Sequence, residues 1–266
     1  MIEIDRIYNE NCLKTMSIME NNQIDMVLTS PPYDNIRNYN GYEFDFKTIA
    51  KELFRVLKNG GVIIWVVGDT VSDGSETGNS FKQVLFFKDL GLNLHDTMIY
   101  QKSGSPFPDK TRYSQCFEYM FVLSKGRPKT INLIKDRKNL QYGAKIANPR
   151  AHRQTDGSVK PNSAFRIDPN RKISEFGIRF NIWKYEAGFM KSTLDKIAYQ
   201  HPAMFPEKLA NDHIISWSNP GDLIYDPFMG SGTTAKMARI NKRHYIGSEI
   251  SLEYCKIAEE RLKNPH

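Results

Sequence analysis

The amino-acid sequence predicts an α/β fold, a doubly wound and mainly parallel sheet, and two patterns in the chain predict it. Short apolar runs of strand length alternate with segments whose apolar residues recur at helical spacing, first over residues 2–123 and again over 201–262. Polar, turn-rich motifs stand directly after two of the strands, at 29–33 and 226–234, where an open parallel sheet forms its ligand crevice. With 266 residues, the chain is long enough for one large domain carrying an insertion.

The elements follow in order. Residues 2–8 alternate as a strand, 13–19 carry helix-compatible spacing and 24–28 form a short buried strand, with a polar loop over 34–43. Over 45–58, Phe46, Ile49, Leu53, Val56 and Leu57 share one helical face, and Asn59-Gly60-Gly61 stops that helix ahead of a strand at 62–67. Residues 70–80, rich in Gly, Ser and Thr, read as a loop, 81–90 as a helix ended by Gly91, and 92–100 as a strand. A further strand at 115–123 alternates with aromatics. After an interruption, the spacing predicts a helix at 205–217, a strand at 223–225, a helix at 232–240, a strand at 244–248 and a last helix at 252–262.

The interruption is basic. Residues 125–196 hold 17 Lys+Arg against 6 Asp+Glu, whereas the rest of the chain holds 20 against 24. A basic segment on a near-neutral body is the footprint of polyanion binding, nucleic acid above all. Tyr142, Phe165, Phe176, Phe180, Trp183 and Tyr185 interleave with the charge and argue for a folded surface in place of a solvated tail. The domain reading is therefore a body of 1–124 with 197–266 and a basic insertion of 125–196.

Three cysteines, Cys12, Cys116 and Cys255, lie far apart without CxxC or Cys/His spacing, so a reduced cytoplasmic protein without a metal site is expected. The longest strongly apolar run, 62–67, is too short to span a bilayer, and the first residues lack the pattern of a secretory signal, so a soluble, unprocessed protein is expected.

Thr29-Ser30-Pro31-Pro32-Tyr33 pairs a small polar residue with two prolines and an aromatic ring. Pro32 has no N–H and holds Pro31 extended, which leaves the Ser30 and Pro31 carbonyls free to point into the crevice. Tyr33 offers a flat face to a planar base. Taken alone, the pentapeptide serves equally as a loop that closes a strand, with Tyr33 in the core.

The second motif, Asp226-Pro227-Phe228-Met229-Gly230-Ser231-Gly232-Thr233-Thr234, joins a strand to a helix, and its glycines permit close backbone approach by a nucleotide-like cofactor. It lacks the Gly-Lys-Ser/Thr of a triphosphate loop. Asp226 at its head would repel a pyrophosphate and hold an ammonium group, and Glu249 at the end of the next strand is placed to accept from two ribose hydroxyls. Ammonium plus ribose describes S-adenosylmethionine.

With these motifs in this order, the chain resembles the S-adenosylmethionine-dependent DNA amino-methyltransferases of the permuted, β-type arrangement. Its elements are Asn11-Cys12, the Thr29 to Tyr33 motif, Glu52 to Gly61, His201-Pro202-Ala203-Met204-Phe205-Pro206-Glu207-Lys208-Leu209 and the Asp226 to Thr234 loop. The resemblance implies a Rossmann-like sheet of seven strands with one reversed, at 115–123, and a target-recognition insertion at 125–196. It also implies Asn11 and Cys12 near the cofactor adenine, Phe205 beside its methionine end, and Phe228, Gly230, Gly232, Thr233 and Thr234 around it. Many relatives carry Asp-Cys where this chain has Asn11-Cys12, a departure that leaves the amide oxygen as the acceptor. Double-stranded DNA is the implied partner, and the family admits a cognate restriction endonuclease and a second copy of the chain as others.

The exocyclic amine of a base is a poor nucleophile because its lone pair is delocalised into the ring. Ser30 and the Pro31 carbonyl would accept its hydrogens, and Tyr33 would stack on the base flipped out of the duplex, with Pro32 shaping the turn. Ring-carbon methylation of cytosine, which usually uses a Pro-Cys nucleophile, is not expected, because Asn, Gln and Tyr precede the three cysteines. In the resembling family, Ser at the head of this motif goes mainly with cytosine N4 and Asp or Asn with adenine N6, so cytosine N4 is the expected target and adenine N6 the alternative. RNA methylation and non-catalytic nucleic-acid binding are weaker readings.

Overall fold

The structure, a computed structural model, describes residues 2–32, 44–103, 110–145, 151–161, 172–186, 188, 190–202 and 204–263. The chain divides into two compact units, residues 1–132 with 181–266, and residues 133–180.

The larger unit is built on one eight-stranded sheet. Its strands are β1 (Arg6–Tyr8), β2 (Ile24–Thr29), β3 (Leu57–Val67), β4 (Asn93–Ser103), β5 (Phe117–Ser124), β6 (Ile182–Glu186), β7 (Leu223–Asp226) and β8 (His244–Ser248), in the order β1-β8-β7-β2-β3-β5-β4-β6. β5 runs antiparallel to both of its neighbours and is the expected reversed strand; all other pairings are parallel.

The eighth strand corrects the expected count of seven. β6 comes from within the basic segment and adds to the edge of the sheet beside β4, from Ile182 opposite Ile99 to Glu186 opposite Ser103. Period-two burial puts it there: Trp183 and Tyr185 are buried, whereas Ile182, Lys184 and Glu186 are exposed. The Trp183 ring lies 4.6 Å from that of His213, and the Tyr185 hydroxyl donates to Asp212 at 2.7 Å. These two aromatics are core residues and form no part of a basic surface.

Local signals set the helices. In α1 (Cys12–Ser17) the Asn11 side-chain oxygen accepts from the Leu13 N–H at 2.8 Å, and in α2 (Phe46–Val56) the Asp45 carboxylate accepts from the Thr48 N–H at 3.2 Å. α2 ends two residues early because Leu57 turns extended to pair with Ile24; the register then shifts, and the ladder resumes at Met26 opposite Val62. The remaining helices are α3 (Asn79–Asp89), α4 (Glu207–Trp217), α5 (Thr233–Ile240) and α6 (Leu252–Lys263). Segment 70–80, expected as a loop, carries a small hairpin of Val71–Ser72 with Ser75–Glu76. Asp73 and Gly74 at its tip take positive φ values of 50° and 77°, as a two-residue type I′ turn requires.

The run from Val62 to Val67 in β3 is buried throughout, as befits a central strand covered on both faces. Trp65 is completely buried with its ring 5.2 Å from that of Phe87 and 5.9 Å from that of Phe46, and its indole N–H donates to Gln83 Oε1 at 2.8 Å. α1 packs on α2 and α2 on α3; α5 packs between α4 and α6. Among the described residues, no helix is long and apolar enough to cross a membrane.

Within the smaller unit, Arg137–Lys138 pairs antiparallel with Phe176–Gly177, and Ala151–Arg153 pairs antiparallel with Val159–Pro161. The Arg137 guanidinium lies 4.7 Å from the centre of the Phe180 ring, and Arg179 pairs with Asp136. Tyr142, Phe176 and Phe180 are exposed, and Phe165 lies outside the described residues. This unit is narrower than the segment delimited by charge, yet it holds 11 Lys+Arg against 4 Asp+Glu, while the larger unit holds 26 of each.

Candidate active site

The parallel strands place their carboxyl ends along one edge of the sheet, and the reversal of β5 brings its amino end to the same edge. A cavity of about 680 Å³ opens there. Ser30, Pro31 and Pro32 after β2 line it together with Asp226, Phe228, Gly230, Thr233 and Thr234 after β7, and Glu249 after β8. Cys12 and Phe205 complete the expected residues in its wall. Tyr33 lies outside the described residues.

Asp226 is the best-tethered group. Its Oδ1 accepts from Thr29 Oγ1 at 2.7 Å and from the Phe228 N–H at 3.0 Å, and its Oδ2 accepts from Thr234 Oγ1 at 2.7 Å. Burial pushes its carboxyl up to about 6, against these three donors, which favour the ionised form; the nearby Glu249 charge adds to the rise. Burial also raises the Glu249 carboxyl, whose oxygens accept from the N–H groups of Gly230 and Ser251, each at 2.8 Å. A carboxylate offers about four acceptor positions, so Asp226 keeps one spare and Glu249 keeps two.

The glycines of the loop answer to tertiary contacts. At Gly230, with φ of +54°, a Cβ would stand 3.0 Å from His201 Nε2, so the imidazole lies directly over this residue. At Gly232, with φ of +83°, a Cβ would meet the Ala258 Cβ at 2.6 Å, so this glycine lets α5 close on α6. Gly232 is therefore outside the cavity wall, as is Asn11, whose amide oxygen is engaged in capping α1.

Several wall residues went unread in the sequence. Tyr100 and Lys102 on β4 and Glu118 on β5 line the cavity, and Lys102 and Glu118 form an ion pair. Burial, helped by the Glu118 charge, raises the Tyr100 hydroxyl above its ordinary range. Tyr254, also unread, lines it too and packs edge to face, at 4.3 Å between ring centres, on His201, the head of the His201 to Leu209 motif. Lys102 and Glu118 sit near the ends of strands, where charged side chains commonly reach solvent; only the reversal of β5 brings them together.

The cavity thus joins a Ser-Pro-Pro segment to a carboxylate-bearing glycine loop, and residues 24–260, which contain both, match the family model described as DNA methylase of the N6/N4 type. The chain belongs to this DNA methylase family. Membership makes it a DNA methyltransferase whose methyl donor is S-adenosylmethionine. The methylase is 62% identical over 241 residues to the orphan methyltransferase M.BamHII of Bacillus amyloliquefaciens, covering 91% of this chain and 89% of that one. It is similar in fold to PvuII DNA methyltransferase (cytosine-N4-specific), with a TM-score of 0.67 and 19% identity over 96% of this chain and 85% of that one. It is also similar in fold to M1.HpyAVI in its SAM complex, with a TM-score of 0.62 and 20% identity over 97% of this chain and 99% of that one.

Proposed function

We propose that this methylase transfers the methyl group to the exocyclic N4 amine of a cytosine flipped out of duplex DNA. The observation that carries the reading is the meeting of Ser30, Pro31 and Pro32 with the Asp226 to Thr234 loop in one cavity, because methyl donor and acceptor must touch.

The residues present fit the cofactor. Asp226 has one acceptor position left for the ammonium group, Glu249 has two for the ribose hydroxyls, and Phe205 and Phe228 offer apolar surface beside them. When bound, S-adenosylmethionine supplies a methyl group on a sulfonium. Ser30 and the Pro31 carbonyl accept the hydrogens of the base amine and turn its lone pair toward that methyl. Tyr33 stacks on the base, worth about 1–3 kcal/mol against an unstacking cost of a few kcal/mol. Residues 133–180 supply positive charge for the phosphate backbone and act as the target-recognition unit.

Cytosine is preferred over adenine because Ser30, and not an acid, heads the motif. Digesting DNA methylated by the purified protein to nucleosides and measuring them by mass spectrometry tests this. N4-methylcytosine is the expected product, and N6-methyladenine without it overturns the assignment of the base. Cofactor binding without methyl transfer to any DNA overturns the enzymatic reading.

A further inference from the structure

Four charged residues lie together behind the cavity wall. Lys236 on α5 and Arg261 on α6 have side chains only 2% and 0% exposed, and they face Asp195 and Glu207. Lys236 Nζ lies 2.8 Å from Asp195 Oδ2 and 2.9 Å from Glu207 Oε1; Arg261 reaches the same two atoms at 2.9 Å through Nε and 2.6 Å through Nη2. Thr193 Oγ1 also donates to Glu207 Oε1, at 2.7 Å. The remaining nitrogen of Arg261, Nη1, donates to the Ser231 carbonyl at 2.6 Å and reaches Ser231 Oγ at 3.1 Å and Thr233 Oγ1 at 3.2 Å.

Two cations and two anions balance, so the cluster costs less than any member buried alone. A well-packed apolar group of similar volume would nonetheless stabilise the fold about as well. What the charges add is geometry. Arg261 presents its planar fork to two acids and to the cofactor loop at once, which a point charge could not do. Three separate stretches of chain meet in the cluster, and each supplies cavity wall: Ser192, Tyr199 and His201 from around Asp195; Met204, Phe205 and Pro206 ahead of Glu207; and Gly230, Ser231 and Thr233 from the loop.

We propose that Asp195, Glu207, Lys236 and Arg261 are positioning residues that set the spacing of the cofactor cleft by clamping the glycine loop to the two segments opposite it. None of the four lines the cavity, so they act through Ser231, Thr233 and the Phe205-Pro206 segment. The inference rests on the Asp226 to Thr234 loop being the seat of the cofactor.

The test uses the full chain with S-adenosylmethionine as the calorimetric ligand. The charge-balanced double variant Glu207→Gln, Arg261→Met leaves Lys236 paired with Asp195. Its melting temperature should stay near that of the parent, while the Kd for S-adenosylmethionine rises about tenfold or more and kcat at saturating cofactor changes by less than about threefold. A folded double variant with the parent's Kd, or one that loses kcat at unchanged Kd, overturns the proposal. Should the double variant fail to fold, Arg261→Lys decides: it keeps the charge and loses the fork, so a weaker Kd at a retained melting temperature supports the clamp, and an unchanged Kd overturns it. Asp226→Asn in the same assay separates the two readings. If it binds S-adenosylmethionine as the parent does, the loop is not the seat; if it alone loses affinity, only the clamp fails.

Discussion

The Thr29 hydroxyl donates to Asp226 Oδ1 at 2.7 Å, joining two residues 197 positions apart in sequence. Thr29 is the last residue of β2 and stands next to Ser30; Asp226 is the last of β7 and heads the glycine loop. Together with the β2–β7 ladder and the contact of Thr234 Oγ1 with the Leu28 carbonyl, this hydrogen bond holds the proposed base-binding segment against the proposed cofactor carboxylate. Thr29→Val keeps the shape and removes the donor. Its Kd for S-adenosylmethionine should rise about threefold to tenfold, with a fall in kcat as the two motifs lose their register, and a variant with parental kinetics would show that the bond is idle.

Asp226→Asn should separate function from stability. Ionising a carboxyl that burial has raised to about 6 works against folding, and an amide of the same shape removes that cost. At about pH 8 the variant should unfold at a higher temperature, with a gain on the order of 1 kcal/mol, while cofactor affinity falls about tenfold or more. Thermal melts and calorimetry on the same sample check both halves.

The same group predicts a pH dependence. An acid whose folded value is raised holds its proton more tightly in the folded chain, so its cost to stability grows as pH climbs from about 4 through about 6 and then levels off. Cofactor binding runs the other way, because only the ionised form attracts a cation. The Kd for S-adenosylmethionine should fall as pH rises through about 6 and reach its minimum near about pH 7, before the cofactor's own α-amino group begins to lose its proton at about pH 8. A Kd that does not change between about pH 5 and about pH 7 would remove Asp226 as the counter-ion.

DNA affinity should depend steeply on salt, with the dependence seated in residues 133–180. Lys138, Lys145 and Lys160 are exposed there. Replacing all three with Ala should lower the slope of log K against log salt concentration by up to about 3 and leave S-adenosylmethionine affinity alone. An unchanged slope in a fluorescence-anisotropy titration would move the phosphate contacts elsewhere.

Trp65→Phe tests the core. The smaller ring keeps most of the contact with Phe46 and Phe87, but it strands the buried Gln83 oxygen that the indole N–H now satisfies. A loss of about 1–3 kcal/mol in denaturant unfolding is expected. A loss below about 0.5 kcal/mol would mean that Gln83 finds another donor.

The parts of the fold legible in the sequence are those whose signal is local. The Val62 to Val67 run can only be a strand buried on both faces, and Asp45 marks the start of α2, whereas Asn59-Gly60-Gly61, expected to stop that helix, lies inside β3 because the helix already ends at Val56. Ser30, Asp226 and Glu249 were readable because strand ends on one edge of a parallel sheet converge. β6 was not, because its alternation is short and lies amid basic residues. The role of Gly232 depends on Ala258 in another helix, and no local pattern carries that contact. Asn11 is instructive in another way: a polar residue just before an apolar helical run is a capping signal, and the cap takes one of the two lone pairs of the amide oxygen expected near adenine.

The uneven charge has a consequence for handling the protein. The sheet-bearing unit carries 26 basic and 26 acidic residues, so the formal +7 of the whole chain is contributed by residues 133–180. Retention on a cation exchanger and the mutual repulsion that keeps molecules apart in solution both rest on that one stretch. A protease that excised it would leave a body with no formal net charge at pH 7, prone to self-association and precipitation even with its core intact.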